Sequence, residues 1–242
     1  MQLDALISSL SLRVVILGSL ILLILVLISL AIKNLSSTLK KILFFSIIFV
    51  VFFVTIFLAG STIYLNNASV SKGPVHYHAD FEIWNCGKEV DLKDPKGFSN
   101  KIGTPTLHEH NDKRIHLEGV VVDKSSATLG RFFEVIGGNI NSASLSLPTN
   151  NGQLTLTSGD FCSNGKRGVM QVFVYKVQNG SYYQKKIENP QDYVFTFQTN
   201  VPPADCIIIE LDSFKQKTDR LCRSYKVAIE THKLKGETQY GN

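Results

Sequence analysis

The chain is short of the residues that most often announce a chemistry. Its 242 residues include two methionines, one tryptophan, four cysteines and six histidines. Met1 and Met170 are too few to line a thioether copper(I) site. No two cysteines are spaced as C-x-x-C, which argues against a thioredoxin-type redox centre and a zinc ribbon. There is no G-x-S-x-G elbow, no P-loop and no dinucleotide fingerprint, and the basic, glycine-rich SNGKRG at 163–168 reads as a turn. Charge is absent over two long stretches, VVILGSLILLILVLISLAI (14–32) and ILFFSIIFVVFFVTIFLAGSTIYL (42–65).

Each uncharged stretch is long enough to cross a hydrocarbon core of about 30 Å as a helix. In lipid every backbone polar group must be satisfied internally, so helices are expected. The small-residue run FLAGST would suit a signal-peptide cleavage site only if no hydrophobic segment preceded it. Residues 1–65 are therefore expected to be a two-span anchor. The loop at 33–41 carries Lys33, Lys40 and Lys41, against Arg13 and Asp4 near the N-terminus. Short basic loops stay in the cytoplasm, which directs both termini and the remaining residues outward across the plasma (inner) membrane.

Residues 66–74 (NNASVSKGP) form a short polar tether, and 75–242 an outer domain. All four cysteines, Cys86, Cys162, Cys206 and Cys222, belong to that domain. An even number in an oxidising exterior implies disulfides, with three pairings open. Without Arg13, Lys33, Lys40, Lys41 and Asp4, the chain's 25 Lys and Arg nearly balance its 20 Asp and Glu. Such a balance excludes a nucleic-acid partner. The bilayer and proteins of the cell envelope are the expected partners.

Past the tether the texture becomes period-two. Val75, Tyr77, Ala79, Phe81 and Ile83 alternate with His76, His78, Asp80 and Glu82, as in a strand with one face on a core. NCGKEVDL supplies a turn and a return strand. In TLHEHNDKRIHLEG (106–119), Thr106, His108 and His110 share a face, NDK turns, and Arg114, His116 and Glu118 share a face of the returning strand. TLGRFFEVIG (128–137) predicts a short helix. SLSLP, QLTLTS, VMQVFVYKV, YVFTF and CIIIEL read as strands, with a turn at Asn179-Gly180. The tail from Thr218 to Lys235 fits a helix through Leu221, Tyr225 and Ile229, although Tyr225, Val227 and Ile229 also alternate as in a strand. The expected class is α+β: two transmembrane helices, then a mainly antiparallel, β-grasp-like domain with one or two short helices.

Five of the six histidines fall in the two H-x-H strands or at His116. Strand side chains two apart face the same way, so each H-x-H pair offers two imidazoles to one space. A third from the next strand completes a three-nitrogen set. His108, His110 and His116 are the expected ligands, followed by His76 and His78. Asp80, Glu82 and Glu118 are candidates for orienting the rings. Nitrogen-rich sets favour zinc or copper(II) over magnesium or calcium. Without metal, packed imidazoles would instead repel one another when protonated, as a pH sensor.

The segments VHYHADFEIWNCGKEVDL, LHEHNDKRIHLEG and TLGRFFEVIG resemble a group of prokaryotic membrane-anchored proteins. These share an H-x-H-x-[DH]-[LF]-x-I strand, an L-H-x-H…I-H-x-E hairpin and a T-L-G-x-F-F helix. The resemblance covers roughly residues 75–137 and, more loosely, the QVFVYKVQNG, DYVFTF and DCIIIEL strands. The group has no established activity, so the resemblance implies architecture and a histidine set, not a reaction. Many of its members carry a single anchor, whereas two spans are read here.

His76, His78 and Glu82 also match the H-x-H-x(3)-E opening of a cupin motif, with glycine spacing that departs from it. Metal capture, hand-over or sensing is the expected role. A metal-dependent enzyme, or a structural module of an envelope complex, are the alternatives.

Overall fold

The computed structural model describes residues 3–98, 100–197 and 203–238, in two units, Met1–Gly73 and Pro74–Asn242. In the first unit, helices α1 (Leu3–Ala31) and α2 (Ser37–Ala68) pack against each other. Both are long and apolar enough to cross a membrane, and both leave most of their large apolar side chains exposed. Helices apolar on every side suit a lipid solvent rather than water. Close packing is set at Gly18, where a Cβ would meet Val54 Cγ2 at 2.7 Å. The α2 helix starts at Ser36, whose side chain accepts a hydrogen bond from the Leu39 N–H. It continues through Ala68, taking in the first three residues of the expected tether. It ends at Ser69, before Gly73 and Pro74 break the pattern.

The second unit is built on one large sheet and one small one. The strands are β1 (Pro74–Asn85), β2 (Lys88–Val90), β3 (Ile102–Gly103), β4 (Leu107–Glu109), β5 (Arg114–Val120), β6 (Asn139–Ile140), β7 (Ser144–Thr149), β8 (Gly152–Thr157), β9 (Val169–Gln178), β10 (Ser181–Ile187) and β11 (Cys206–Asp212). Helices α3 (Leu129–Val135) and α4 (Arg223–Glu230) complete it. The large sheet runs β10-β9-β11-β1-β5-β4-β3, with β2 also on β1; β6-β7-β8 form the small sheet. Among the paired strands of the described residues, β1–β11 is parallel and the others are antiparallel. The class is thus α+β. The first and last strands lie side by side at the centre, as a β-grasp-like order requires.

Strand β1 serves both halves of the sheet. Its first half, through Asp80, pairs with β5; from Asp80 onward it pairs with β11. Its odd residues Tyr77, Ala79, Phe81 and Ile83 are buried. Against this face lies α3, with the Phe81 and Phe132 rings 5.6 Å apart. Thr128 caps α3 by accepting from the Arg131 N–H. On the opposite face, Tyr225 of α4 joins Phe173, Tyr175, Cys206 and Ile208 of β9 and β11 in a buried cluster. Trp84 packs at its margin, beneath the Arg220 guanidinium 3.5 Å from its ring. The β1–β5–β4 part of that same face carries the histidines.

Two disulfides form: Cys86–Cys162 and Cys206–Cys222. One expected strand does not. In YVFTF only Val194 makes a bridge, to Thr128, and Phe195 donates its N–H to Ala127. The backbone of YVFTF is taken up by the stretch just before α3, where the Leu129 N–H also donates to the Tyr193 carbonyl oxygen. The segment buries Phe195 and Phe197 instead and directs the Tyr193 hydroxyl to Asp205, 2.6 Å away.

Candidate metal centre

The register brings the histidines together. On adjacent strands His78 is opposite His116, and His116 is opposite His108; His76 is opposite Glu118. Cross-strand partners on one face have Cβ atoms about 5 Å apart, so this row stacks three imidazoles by backbone pairing alone. Ring centroids are 4.4 Å apart for His78–His116, 5.3 Å for His108–His116 and 4.7 Å for both His108–His110 and His110–His116.

The hairpin that aligns them is held by its turn. Asn111 and Lys113 adopt left-handed backbone (φ 65° and 59°). The buried Glu109 carboxylate, facing away from the histidines, accepts the N–H groups of Asp112 (2.7 Å) and Lys113 (3.2 Å). Its pKa is raised by burial, opposed by those backbone donors. On the outer side, β3 approaches β4 closely at Gly103. A Cβ there would meet the Leu107 carbonyl oxygen at 2.5 Å and His108 Cα at 3.0 Å, with φ at +111°. Glycine is what lets this strand cover His108, which is 1 % exposed.

One ring nitrogen from each of His108, His110 and His116 lies within 4.8 Å of the other two. A triangle with edges no longer than that has a point at most about 2.8 Å from each corner, against ~2.0–2.1 Å for a zinc–imidazole bond. Small side-chain rotations close that difference. Two of the rings already have an oxygen partner. His110 Nδ1 lies 2.6 Å from the Asn100 carbonyl oxygen, and His116 Nε2 lies 3.0 Å from Asp112 Oδ2. Such contacts fix the ring orientation of metal-binding histidines and raise their basicity. Nδ1 of His108 is buried with no hydrogen-bond partner among the described residues. A buried, unsatisfied imidazole nitrogen is costly, and a metal ion would satisfy it.

The expected residues divide into those the fold assembles and those it does not. Glu118 joins the histidines, with Oε1 3.4 Å from His76 Nδ1 and Oε2 4.0 Å from His108 Nε2. Asp80 instead accepts from Arg114 Nε at 2.9 Å, and Glu82 from Trp84 Nε1 at 3.0 Å. Glu82 is four residues along the strand from His78, roughly 13 Å at strand rise, which removes the cupin correspondence. Asp112 and Asn100 take the orienting positions that Asp80 and Glu82 were expected to hold. Both act through loop geometry that strand alternation does not reveal.

The environment favours the neutral form of His108 and of His78. Burial lowers the His108 pKa to about 4, helped by the charges of Lys101, His110 and His116 and opposed by Glu118. Burial also lowers His78, with His116, His76 and Arg114 adding to it and Asp112 opposing. Neutral imidazole is the ligand form, so a metal would displace no proton from His108 at neutral pH.

The same shift sets a pH dependence for the metal-free protein. The unfolded chain takes up the His108 proton near 6.5, the folded chain only near 4, so stability is full above 6.5 and lost as pH falls between these values. The loss attributable to His108 is at most roughly 3 kcal/mol at about 1.4 kcal/mol per pKa unit. Trp84 fluorescence, the only tryptophan signal, should show the chelator-treated protein melting at a lower temperature at pH 5 than at 7.5. His108→Leu should flatten that slope; an unchanged slope would contradict the assignment.

No protein-family model, curated protein or solved structure matches this chain.

Proposed function

We propose that the chain is a two-span membrane protein whose outer domain binds a first-row transition metal ion, zinc or copper(II), through His108, His110 and His116. The observation that carries this reading is the convergence of three ring nitrogens from one hairpin within 4.8 Å, two of the rings being buried. Nitrogen-only sets of this kind select zinc, copper(II) or nickel over the hard cations. The charged surroundings speak against a protein interface as the main use of this face. Its flanks carry the Asp80–Arg114 ion pair, Glu118 and Lys101 rather than a rim of apolar side chains.

In this reading the domain lies outside the cytoplasm. Two disulfides favour an oxidising compartment. Lys40 and Lys41 sit in the first turns of α2, where the helix dipole disfavours cations. Membrane orientation, which keeps short basic loops inside, accounts for their position better than helix stability does. The role is capture, hand-over or sensing of the ion at the cell surface.

The test is the metal content of the full chain, purified in detergent without a histidine tag and incubated with zinc. His108→Ala/His110→Ala should lose at least one equivalent while Trp84 fluorescence stays native. A parent chain that holds no zinc or copper at pH 7.5 would sink the proposal.

A further inference from the structure

We infer that His76, His78 and Glu118 form a second metal site beside the first, with the Glu118 carboxylate standing between the two. The inference rests on the metal-binding reading above and adds a second ion of the same class, a first-row divalent cation.

The observations are separate from those that define the first site. One ligand atom from each of His76, His78 and Glu118 lies within 4.8 Å of the others. His76 and Glu118 are direct cross-strand partners, 3.4 Å apart at Nδ1 and Oε1. Nε2 of His78 is buried and has no hydrogen-bond partner among the described residues, although the ring packs 4.6 Å from His76 and 4.4 Å from His116. Alternation on β1 gives these two imidazoles their common face, and the β1–β5 register gives them their carboxylate.

Glu118 is placed to serve both sets. One oxygen faces His76, and the other lies 4.0 Å from His108 Nε2. Two dications on adjacent strands repel each other strongly unless an anion stands between them. No other carboxylate belongs to either ligand group among the described residues. Bound to the outer ion and lying on the Nε2 side of His108, whose Nδ1 is the nitrogen open to the inner ion, the carboxylate offsets that repulsion and ties the two sites together.

The sites differ in access. The His76 side chain is 69 % exposed and that of His108 1 %. The outer site therefore meets ions from solvent, and the inner one holds them away from it. Glu118 connects the two along a single row of side chains.

The test is a count with zinc, followed by a spectrum with copper(II), on the full chain in detergent without a tag. The parent and His232→Ala should each bind two equivalents of zinc, and His76→Ala/His78→Ala and Glu118→Gln one each. Loaded with two equivalents of copper(II), the parent should show a half-field electron paramagnetic resonance transition from coupled ions, absent in His76→Ala/His78→Ala. One equivalent in both the parent and His76→Ala/His78→Ala would overturn the second site while leaving the first standing. Two equivalents with only isolated-copper signals would overturn the placement of Glu118 between two neighbouring ions. A parent that binds none would fail the underlying reading as well. Native Trp84 fluorescence in each variant excludes loss of fold as the cause.

Discussion

His116→Ala should weaken zinc binding more than any other single substitution, and by more than the ~10–100-fold expected for losing an orienting partner. His116 occupies the middle of the row. It pairs across β5 with His78 on one side and His108 on the other, and its ring touches those of His78, His108 and His110. Its removal takes one nitrogen from the inner triad and the wall between the two sets. Asp112→Asn is the graded comparison. It keeps the imidazole but takes the charge from the oxygen partner at His116 Nε2, and should weaken binding within that ~10–100-fold range. Competition against a chromophoric chelator measures both. Equal affinities for parent and His116→Ala would remove the hairpin from the site. A larger effect for Asp112→Asn than for His116→Ala would make the carboxylate the ligand and the histidine its support.

The second large effect concerns the frame. Cys86 lies in the tight turn between β1 and β2, and Cys162 in the loop between β8 and β9. The bond spans 76 residues of sequence, against 16 for Cys206–Cys222. Constraining the unfolded chain over loops of those lengths is worth about 4 and about 3 kcal/mol, respectively. Cys86→Ser/Cys162→Ser should therefore lower the unfolding free energy by about 4 kcal/mol, as read from Trp84 fluorescence in denaturant. Cys206→Ser/Cys222→Ser should cost less by chain entropy. However, its sulfurs also lie in the buried cluster with Tyr225 and Ile208, so packing loss adds to its cost. A change under about 1 kcal/mol for Cys86→Ser/Cys162→Ser would contradict the chain-entropy account.

Much of the fold is legible in residue order because it rests on short-range periodicity. The alternation from Val75 to Ile83 specifies β1 and its two faces, so the histidine face follows from sequence. The Asn179-Gly180 turn is local chemistry as well, and it forms (φ 52° and 75°). The α4 helix resolves the tail: Tyr225 is buried while Val227 is exposed, a helical rather than an alternating pattern.

What escapes the sequence depends on partners far along the chain. Strand β10 follows the Asn179-Gly180 turn, but its residues SYYQKKI carry polar side chains on an edge strand and show no clear alternation. YVFTF has strand composition but pairs with the stretch leading into α3, through a single bridge between Val194 and Thr128. The cysteine pairing needs the β1–β2 turn and the β8–β9 loop to meet, which no local signal encodes. At the site, the H-x-H spacing identifies the rings but not their oxygen partners. Asp112 reaches His116 because the turn at 111–113 folds back, and Asn100 reaches His110 from outside any strand. Asp80 and Glu82 share the histidine face yet are drawn to Arg114 and Trp84, which stand nearer to them.

X-ray absorption at the zinc edge of the loaded full chain tests the central claim most directly. A shell of nitrogen at about 2.0 Å, with the outer-shell scattering of several imidazoles, is the result predicted. The inner-triad part of that signal should vanish in His108→Ala/His110→Ala. A shell of oxygen alone, without imidazole scattering, would contradict metal binding by these histidines.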